Sequence, residues 1–567
     1  MDEGPSDSPP FVPRSPSRAV VAAVLLCLLT GVLLRGALID GRTHLTHDEA
    51  IAYMAASGHQ LTYDEAARET LRGEWVEAAE WQALLEPGPG FAFRGIHEGL
   101  ARTDVHPPLY FWLLHLWLKA FGAETATGPL MNLLLFALTG LILFMVARRW
   151  LRNDWEAVAV TALYAVSTRT CHASMIARPY ELYALCVMLV ALGLTALVCA
   201  DPARARRPAL LLGVALFCGL MTHYQFVLIA FGGFGAAGAY LFWRRDARIL
   251  PLACAGVGGA AAWFAMQPHA FNAAARFGEQ GAGFDAAEII PRFERTLALL
   301  TGFVADDLLW WREPLVHTAA AWLPKWAALG LAAAIGVAAL TAGYRYAKGR
   351  RILTRPRRDG FLPAALLLLS TGGAVFGMYW LQTRGIASID PPRYTLIVGL
   401  GMAFVPVLAV RVLKTGAAVG VMALLLAFMA ASTLHDMRHT RSEERQPPAV
   451  LAEAPRIVVG SVDRGILPPV AQLMPDTTEI FAAPLTVLEE SSPAWLPMLE
   501  PGDAFIAHIS YANTMADYER VLAQLRARFR VDGEWGLSQG YLVHRLAPLP
   551  PDGELPPLPW QRFMASP

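Results

Sequence analysis

Three ionisable residues, His47-Asp48-Glu49, stand together directly after the first long apolar run of the chain. A carboxylate at such a position can accept a proton from a hydroxyl, or hold a metal or an amine. Thr46 and Glu49 have the spacing of a capping box and Gly58 has the position of a stop, so a short helix accounts for Glu49. Capping leaves Asp48 and His47 unexplained. Further polar groups interrupt the apolar sequence at Asp104-Val105-His106-Pro107-Pro108-Leu109-Tyr110, Arg178-Pro179-Tyr180, Thr222-His223-Tyr224, Gln382-Thr383-Arg384 and Asp390-Pro391-Pro392-Arg393-Tyr394. Each has an ordinary reading as a proline-led helix start, an interfacial arginine or a polar loop. Arginine also offers a planar fork to phosphate oxygens, and one at membrane depth, as Arg178 is beside Glu181, is costly without a partner. Arg178, Arg384 and Arg393 are therefore candidates for an anionic lipid-phosphate group, with Asp48 acting on whatever attacks it.

The elements that must position these groups are membrane helices. The chain has 567 residues, 55% of them hydrophobic, with 47 basic and 47 acidic residues segregated by loop. Runs of about 20 apolar residues cross a hydrocarbon core of about 30 Å. Basic clusters at Arg148-Arg149-Arg152, Arg204-Arg206-Arg207, Arg244-Arg245-Arg248, the segment 345–358 and Arg411-Lys414 mark cytoplasmic turns. With these turns inside, the spans 19–38, 129–147, 156–172, 178–199, 208–221, 224–243, 250–266, 321–343, 361–381, 394–411 and 415–433 make about eleven crossings, with the N-terminus inside and the C-terminus outside. The short apolar segment 107–121 then begins and ends on the outer face, as a membrane-dipping helix. Loops 39–105 and 267–320 lie outside; the first has a helical pattern around 62–85, and the second carries Asp306, Asp307, Trp310, Trp311 and Arg312. Residues 1–18 read as a disordered cytoplasmic tail, residues 19–435 as the membrane domain, and 440–567 as a small soluble α/β domain outside the membrane with a Pro-rich tail. The expected class is thus an α-helical polytopic membrane protein with a C-terminal α/β domain. The six cysteines lie in or at the ends of spans and show no paired or C-x-x-C pattern, so neither a disulfide framework nor a zinc site is expected. Nor is a nucleic-acid partner.

All the polar motifs fall on one predicted face, whereas the opposite loops carry undifferentiated basic residues. In order and spacing, His47-Asp48-Glu49-Ala50, Asp104 to Tyr110, Ala177-Arg178-Pro179-Tyr180, Thr222-His223-Tyr224 and Pro392-Arg393-Tyr394 resemble the C-type glycosyltransferases. The similarity is to family 39, the protein O-mannosyltransferase-like branch that includes the bacterial aminoarabinose and galacturonic acid transferases of lipopolysaccharide, and it spans roughly 19–435. The resemblance implies an inverting enzyme of a bacterial inner membrane that takes a sugar from a polyprenyl-phosphate donor to a lipid, glycan or protein acceptor on the extracytoplasmic face. It implies Asp48 as the catalytic acidic residue with Glu49 supporting it. His47, Asp104, His106, Tyr110, Arg178, Tyr180, His223, Tyr224, Arg384, Arg393 and Tyr394 are the candidates for substrate contact. No cofactor is assigned beyond an open place for a divalent cation, whose ligands are unknown. Some relatives carry a second acidic residue near the position of Arg178-Pro179-Tyr180, and this chain departs from them there. Two other readings compete: a transporter or flippase of lipid-linked sugars, and a non-catalytic component of cell-envelope polysaccharide assembly. A transporter is expected to show inverted repeats and broken helices at the bilayer midplane.

Overall fold

The computed structural model describes residues 15–63, 74–267, 400–443, 449–508, 514–537 and 541–550, apart from a few isolated positions. Among the described residues, six helices are long and apolar enough to cross a membrane: α1 (Arg18–Ile39), α5 (Thr127–Trp150), α8 (Tyr180–Cys199), α10 (Phe226–Trp243), α11 (Ile249–Met266) and the apolar part, Thr415–His435, of α12 (Thr415–Glu443). The chain is an integral membrane protein on that evidence. Leu25, Leu26, Leu29 and Leu33 of α1 and Val419, Leu424 and Phe428 of α12 are exposed, which suits lipid-facing surfaces. Between α8 and α11 lies α9 (Arg206–Leu220), shorter than a full crossing. Its approach to α11 is close because both sides are glycine: a Cβ on Gly259 would sit 2.7 Å from the Gly213 carbonyl. The expected spans 321–343 and 361–381, and most of 394–411, lie outside the described residues.

Two ends of this bundle differ in chemistry. At one end, Arg248 donates to the carbonyl of Ala200 (2.8 Å) and Trp150 to Thr195 (2.9 Å), which gathers the basic turns. At the other end stand the start of α5, the start of α8, the turn between α9 and α10, and α2 (His47–Ser57). Two further helices complete it: α3 (Phe93–Thr103) and α4 (Leu109–Phe121). The 13-residue α4 does not traverse the bundle. Its first amide donates to Met221 O (3.0 Å), and Trp117 near its last turn donates to Thr127 O (2.8 Å), so both its ends stay on the polar side.

The expected single span 156–172 is corrected. It is two helices, α6 (Asp154–Val166) and α7 (Thr168–Met175), separated by extended backbone at Ser167. Carbonyls released by such a break must find donors inside the protein, and here they do. Tyr164 O accepts from Thr170 Oγ1 (2.9 Å), Ala165 O from Arg35 Nη1 (2.8 Å) and Val166 O from Thr433 Oγ1 (2.6 Å). Arg35 is fully buried over the Phe136 ring and also donates to Ser174 (3.0 Å) and Thr170 (2.8 Å). Ser174 in turn donates to buried Glu181 (2.6 Å), which also accepts from Tyr164 (3.3 Å).

Among the described residues, the C-terminal segment supplies five strands of a six-stranded sheet whose order is β1-β3-β2-β4-β6-β5 and whose edge strand β1 comes from the first loop. Its strands are β1 (Trp75–Glu77), β2 (Arg456–Gly460), β3 (Glu479–Ala482), β4 (Ala504–His508), β5 (Arg530–Leu537) and β6 (Tyr541–Ala547). Parallel pairing of β2 with β3 and β4 makes the centre, and α13 (Met515–Arg526) packs Tyr518, Val521, Leu522 and Leu525 on it. The helical pattern expected around 62–85 is corrected at β1. Trp75–Glu77 is an antiparallel edge strand on β3, because the sheet edge supplies backbone partners that local sequence cannot reveal. This strand ties the first loop to the C-terminal sheet, and Trp75 against Phe481 (5.5 Å between ring centroids) seals the join.

Without Arg35 the Ala165 carbonyl and the Ser174 and Thr170 hydroxyls lose a buried donor, and a buried acceptor left unsatisfied costs about 1–3 kcal/mol. Arg35→Leu is therefore expected to lower the thermal stability of the detergent-solubilised protein strongly. Adding Glu181→Gln should recover part of that loss, whereas equal melting of Arg35→Leu and wild type would contradict the arrangement.

Candidate functional site

The site grows from the capped start of α2. Thr46 donates through its backbone N–H (3.0 Å) and hydroxyl (2.8 Å) to the Glu49 carboxylate, and Gly58 ends the helix at φ 83°. Glu49 is completely buried and takes more than a cap requires. Arg42 lies across both its oxygens, with Nη1 2.9 Å from Oε1, and the backbone N–H of Ala177 donates to Oε1 (3.0 Å). Burial would raise this carboxyl, but the Arg42 guanidinium and the Thr46 and Ala177 donors outweigh it and hold it below the usual range. Glu49 is thus a clamp that fastens α2 to the turn before α8.

That clamp sets where its neighbours go. Asp48 remains part-exposed, its Oδ1 3.6 Å from His47 Nδ1. From the clamped turn, the guanidinium of Arg178 reaches the Asp48 carbonyl (3.5 Å) and, through Nη2, His106 Nε2 (3.5 Å). The other ring nitrogen of His106 bonds Asp104 at 2.6 Å, and Arg464 and Gln60 approach the second oxygen of that carboxylate at 3.9 and 3.4 Å. Although burial would raise the Asp104 carboxyl, His106, Arg178 and Arg464 hold it well below the ordinary carboxylate range. His223 packs edge-on to His106 (5.8 Å between centroids) and against Tyr183 (5.2 Å). Its Nδ1 accepts from the Gln225 amide (3.2 Å). Burial, reinforced by the positive charge of His106 and Arg178, pushes His223 down to about 3.

Of the residues expected from sequence, His47, Asp48, Glu49, Asp104, His106, Arg178 and His223 are brought together. Tyr110 is buried beneath them and donates to Asn132 (3.1 Å), which bonds Ile176 O (2.6 Å) and so braces the Arg178 turn. Tyr180 is buried at the start of α8 and Tyr224 half-buried at the start of α10. Arg384, Arg393 and Tyr394 lie outside the described residues, as do Asp306, Asp307, Trp310, Trp311 and Arg312. Glu181, the acid beside Tyr180, turns into the bundle toward Ser174. Sequence reasoning missed Arg42, Tyr183, Asp463 and Arg464. Among the described residues no group of three or more His, Cys, Asp or Glu side chains is placed to hold a metal ion.

No protein-family model and no curated protein matches the chain. Among solved structures, ArnT from Cupriavidus metallidurans bound to undecaprenyl phosphate is similar at a TM-score of 0.40 and 16% identity, covering 93% of this chain and 97% of that one. The same protein in its apo state scores 0.34 at 14% identity, over 93% and 98% of the two chains. The Archaeoglobus fulgidus oligosaccharyltransferase in its apo form scores 0.40 at 12% identity, over 86% of this chain and 69% of its own.

Two of the buried groups give the site a pH dependence of known sign. Folded His223 refuses a proton until about 3, whereas the unfolded residue takes one below its ordinary 6.5. The resulting stability is complete above that ordinary value and declines as pH falls toward 3. Asp104, a depressed carboxyl, adds a loss in the same direction at lower pH. We expect the melting temperature in detergent to fall between about pH 7 and pH 4, and His223→Gln to make that fall shallower. An unchanged slope in His223→Gln would contradict the assignment.

Proposed function

We propose that this chain is an inverting glycosyltransferase that moves a sugar from a polyprenyl-phosphate donor to a hydroxyl or amine acceptor on a lipid, glycan or protein. One observation carries this: a part-exposed carboxylate, Asp48, and the Arg178 guanidinium, with His106 beside it, are held side by side at the polar ends of membrane helices. A polyprenyl tail stays among the helices while its phosphate and sugar emerge at that level. Departure of the phosphate needs fixed positive charge on the leaving oxygen, which Arg178 supplies. Attack needs a base within reach of the acceptor, which Asp48 supplies, in the order of motifs that resembles family 39.

In this reading the acceptor gives its proton to Asp48 as its oxygen or nitrogen bonds to the anomeric carbon, and the carbon–oxygen bond to phosphate breaks with the electron pair leaving on the phosphate. His106, oriented by Asp104, stands beside Arg178 on the donor side. Neutral His223, packed on Tyr183, backs His106 from within the bundle. In this reading the site faces the extracytoplasmic side, which the basic turns at the opposite end of the bundle support, and the membrane is a bacterial inner membrane, as the resemblance to family 39 implies.

The experiment is transfer by purified full-length protein from a panel of radiolabelled undecaprenyl-phosphate sugars, with membrane-lipid, glycan and peptide acceptors. Wild type is expected to transfer from at least one donor, and Asp48→Asn to lose about 10²-fold or more. Full activity in a correctly folded Asp48→Asn protein would remove Asp48 from the chemistry, and no transfer from any donor would overturn the reading.

A further inference from the structure

The C-terminal sheet reaches the site through the loop between β2 and the helix Leu467–Ala471. The Asp463 carboxylate turns this loop back on itself, its Oδ1 accepting from the Gly465 amide (2.7 Å), while its own amide donates to Ser461 (3.2 Å). The same oxygen lies 3.1 Å from His47 Nε2. Gly465 makes the approach feasible, since a Cβ there would come 2.5 Å from His47 Cδ2 and 2.7 Å from Nε2. Next to it, Arg464 donates to the Thr103 hydroxyl (3.0 Å) and carbonyl (3.1 Å), and Tyr63 donates to Val462 O (2.7 Å). The loop is pinned on three sides, by Thr103, Tyr63 and His47.

We propose that Asp463 is a positioning residue for His47, and that the two form a proton exit for Asp48. The Nε2–H of His47 donates to Asp463, which fixes the tautomer and leaves Nδ1 facing Asp48 Oδ1 at 3.6 Å. A carboxylate that takes the acceptor's proton must shed it before the next turnover. Here the proton passes from the Asp48 carboxyl to His47 Nδ1, and Asp463 stabilises the imidazolium. Because the His47 side chain is 35% exposed, the proton can leave to water. Atoms balance: the acceptor proton ends in solvent, the sugar on the acceptor and the electron pair on the phosphate. Burial would raise the Asp463 carboxyl, but the bond to His47 and the Gly465 amide keep it below the ordinary range, ionised for this role. Asp48 on its own helix and Asp463 from the C-terminal loop face His47; Arg464 acts on the Asp463 carboxylate, and Arg178 reaches the Asp48 carbonyl.

The chemical step rests on the transferase reading, but the His47–Asp463 pairing does not, so the test has two arms on the full-length protein in detergent. In the first, carbethoxylation of His47 by diethyl pyrocarbonate is followed by mass spectrometry across pH. Asp463→Asn is expected to move the midpoint to lower pH by about one unit or more, and Asp463→Glu to restore it in part. In the second, transfer from the active undecaprenyl-phosphate sugar is measured. Asp463→Asn is expected to lower kcat about tenfold or more with KM for donor unchanged, and His47→Gln with Asp463→Asn to be no worse than the worse single variant. An unmoved His47 midpoint in Asp463→Asn overturns the pairing even if no donor supports transfer. A moved midpoint with unchanged kcat, or additive losses in the double variant, overturns the proton exit. No transfer by wild type from any donor, with the midpoint moved, sinks the transferase reading and with it the exit, and leaves the pairing standing.

Discussion

The Glu49 carboxylate is the constraint on which the remainder of the site depends. It is a fully buried charge, and such a charge persists only when its partners are complete. Arg42, Thr46 and the Ala177 amide together complete it. Because those partners come from the segment after α1, the start of α2 and the turn before α8, satisfying one carboxylate fixes three pieces of chain at once. Asp48 and Arg178 are the immediate neighbours of that knot on either side, so their spacing is inherited from it.

A second buried network supports the knot from below. Arg35, Ser174 and Glu181 hold the broken α6–α7 pair against α1 and α8, and the break lets the chain arrive at Ala177 with a backbone amide free to face Glu49. Cost and use are linked here. Interrupting a helix within the membrane domain releases carbonyls that only interior donors can satisfy, and Thr170, Arg35 and Thr433 are those donors. Above the knot, the C-terminal sheet closes the arrangement through β1 and the Asp463 loop, so the membrane helices and the sheet share one site.

Local features were legible in the sequence, and remote ones were not. The cap of α2 could be read because Thr46, Glu49 and Gly58 act over a few residues. The third partner of Glu49 lies 128 residues away at Ala177, beyond any pattern. The break at Ser167 left a trace in the polar run Ser167-Thr168-Arg169-Thr170, which an apolar average over 156–172 conceals. Trp75–Glu77 could not be recognised as a strand without β3 beside it. Asp463-Arg464-Gly465 is readable as a turn after a strand, but nothing in those three residues says that the turn lands on His47. Convergence of His47, Asp104, His106, Arg178 and His223 followed from counting crossings against basic turns. Their pairings, such as Asp104 with His106 at 2.6 Å, required the fold.

We propose a division of labour in which Arg178 holds the donor's phosphate and Asp48 acts only on the acceptor. Binding of undecaprenyl phosphate itself, measured by native mass spectrometry or radioligand retention on wild type, Arg178→Gln and Asp48→Asn, tests this most directly. The account predicts that Arg178→Gln weakens binding about tenfold or more, the worth of a charge-assisted contact, while Asp48→Asn binds as wild type does. Equal binding by Arg178→Gln and wild type, with both folded, would contradict it.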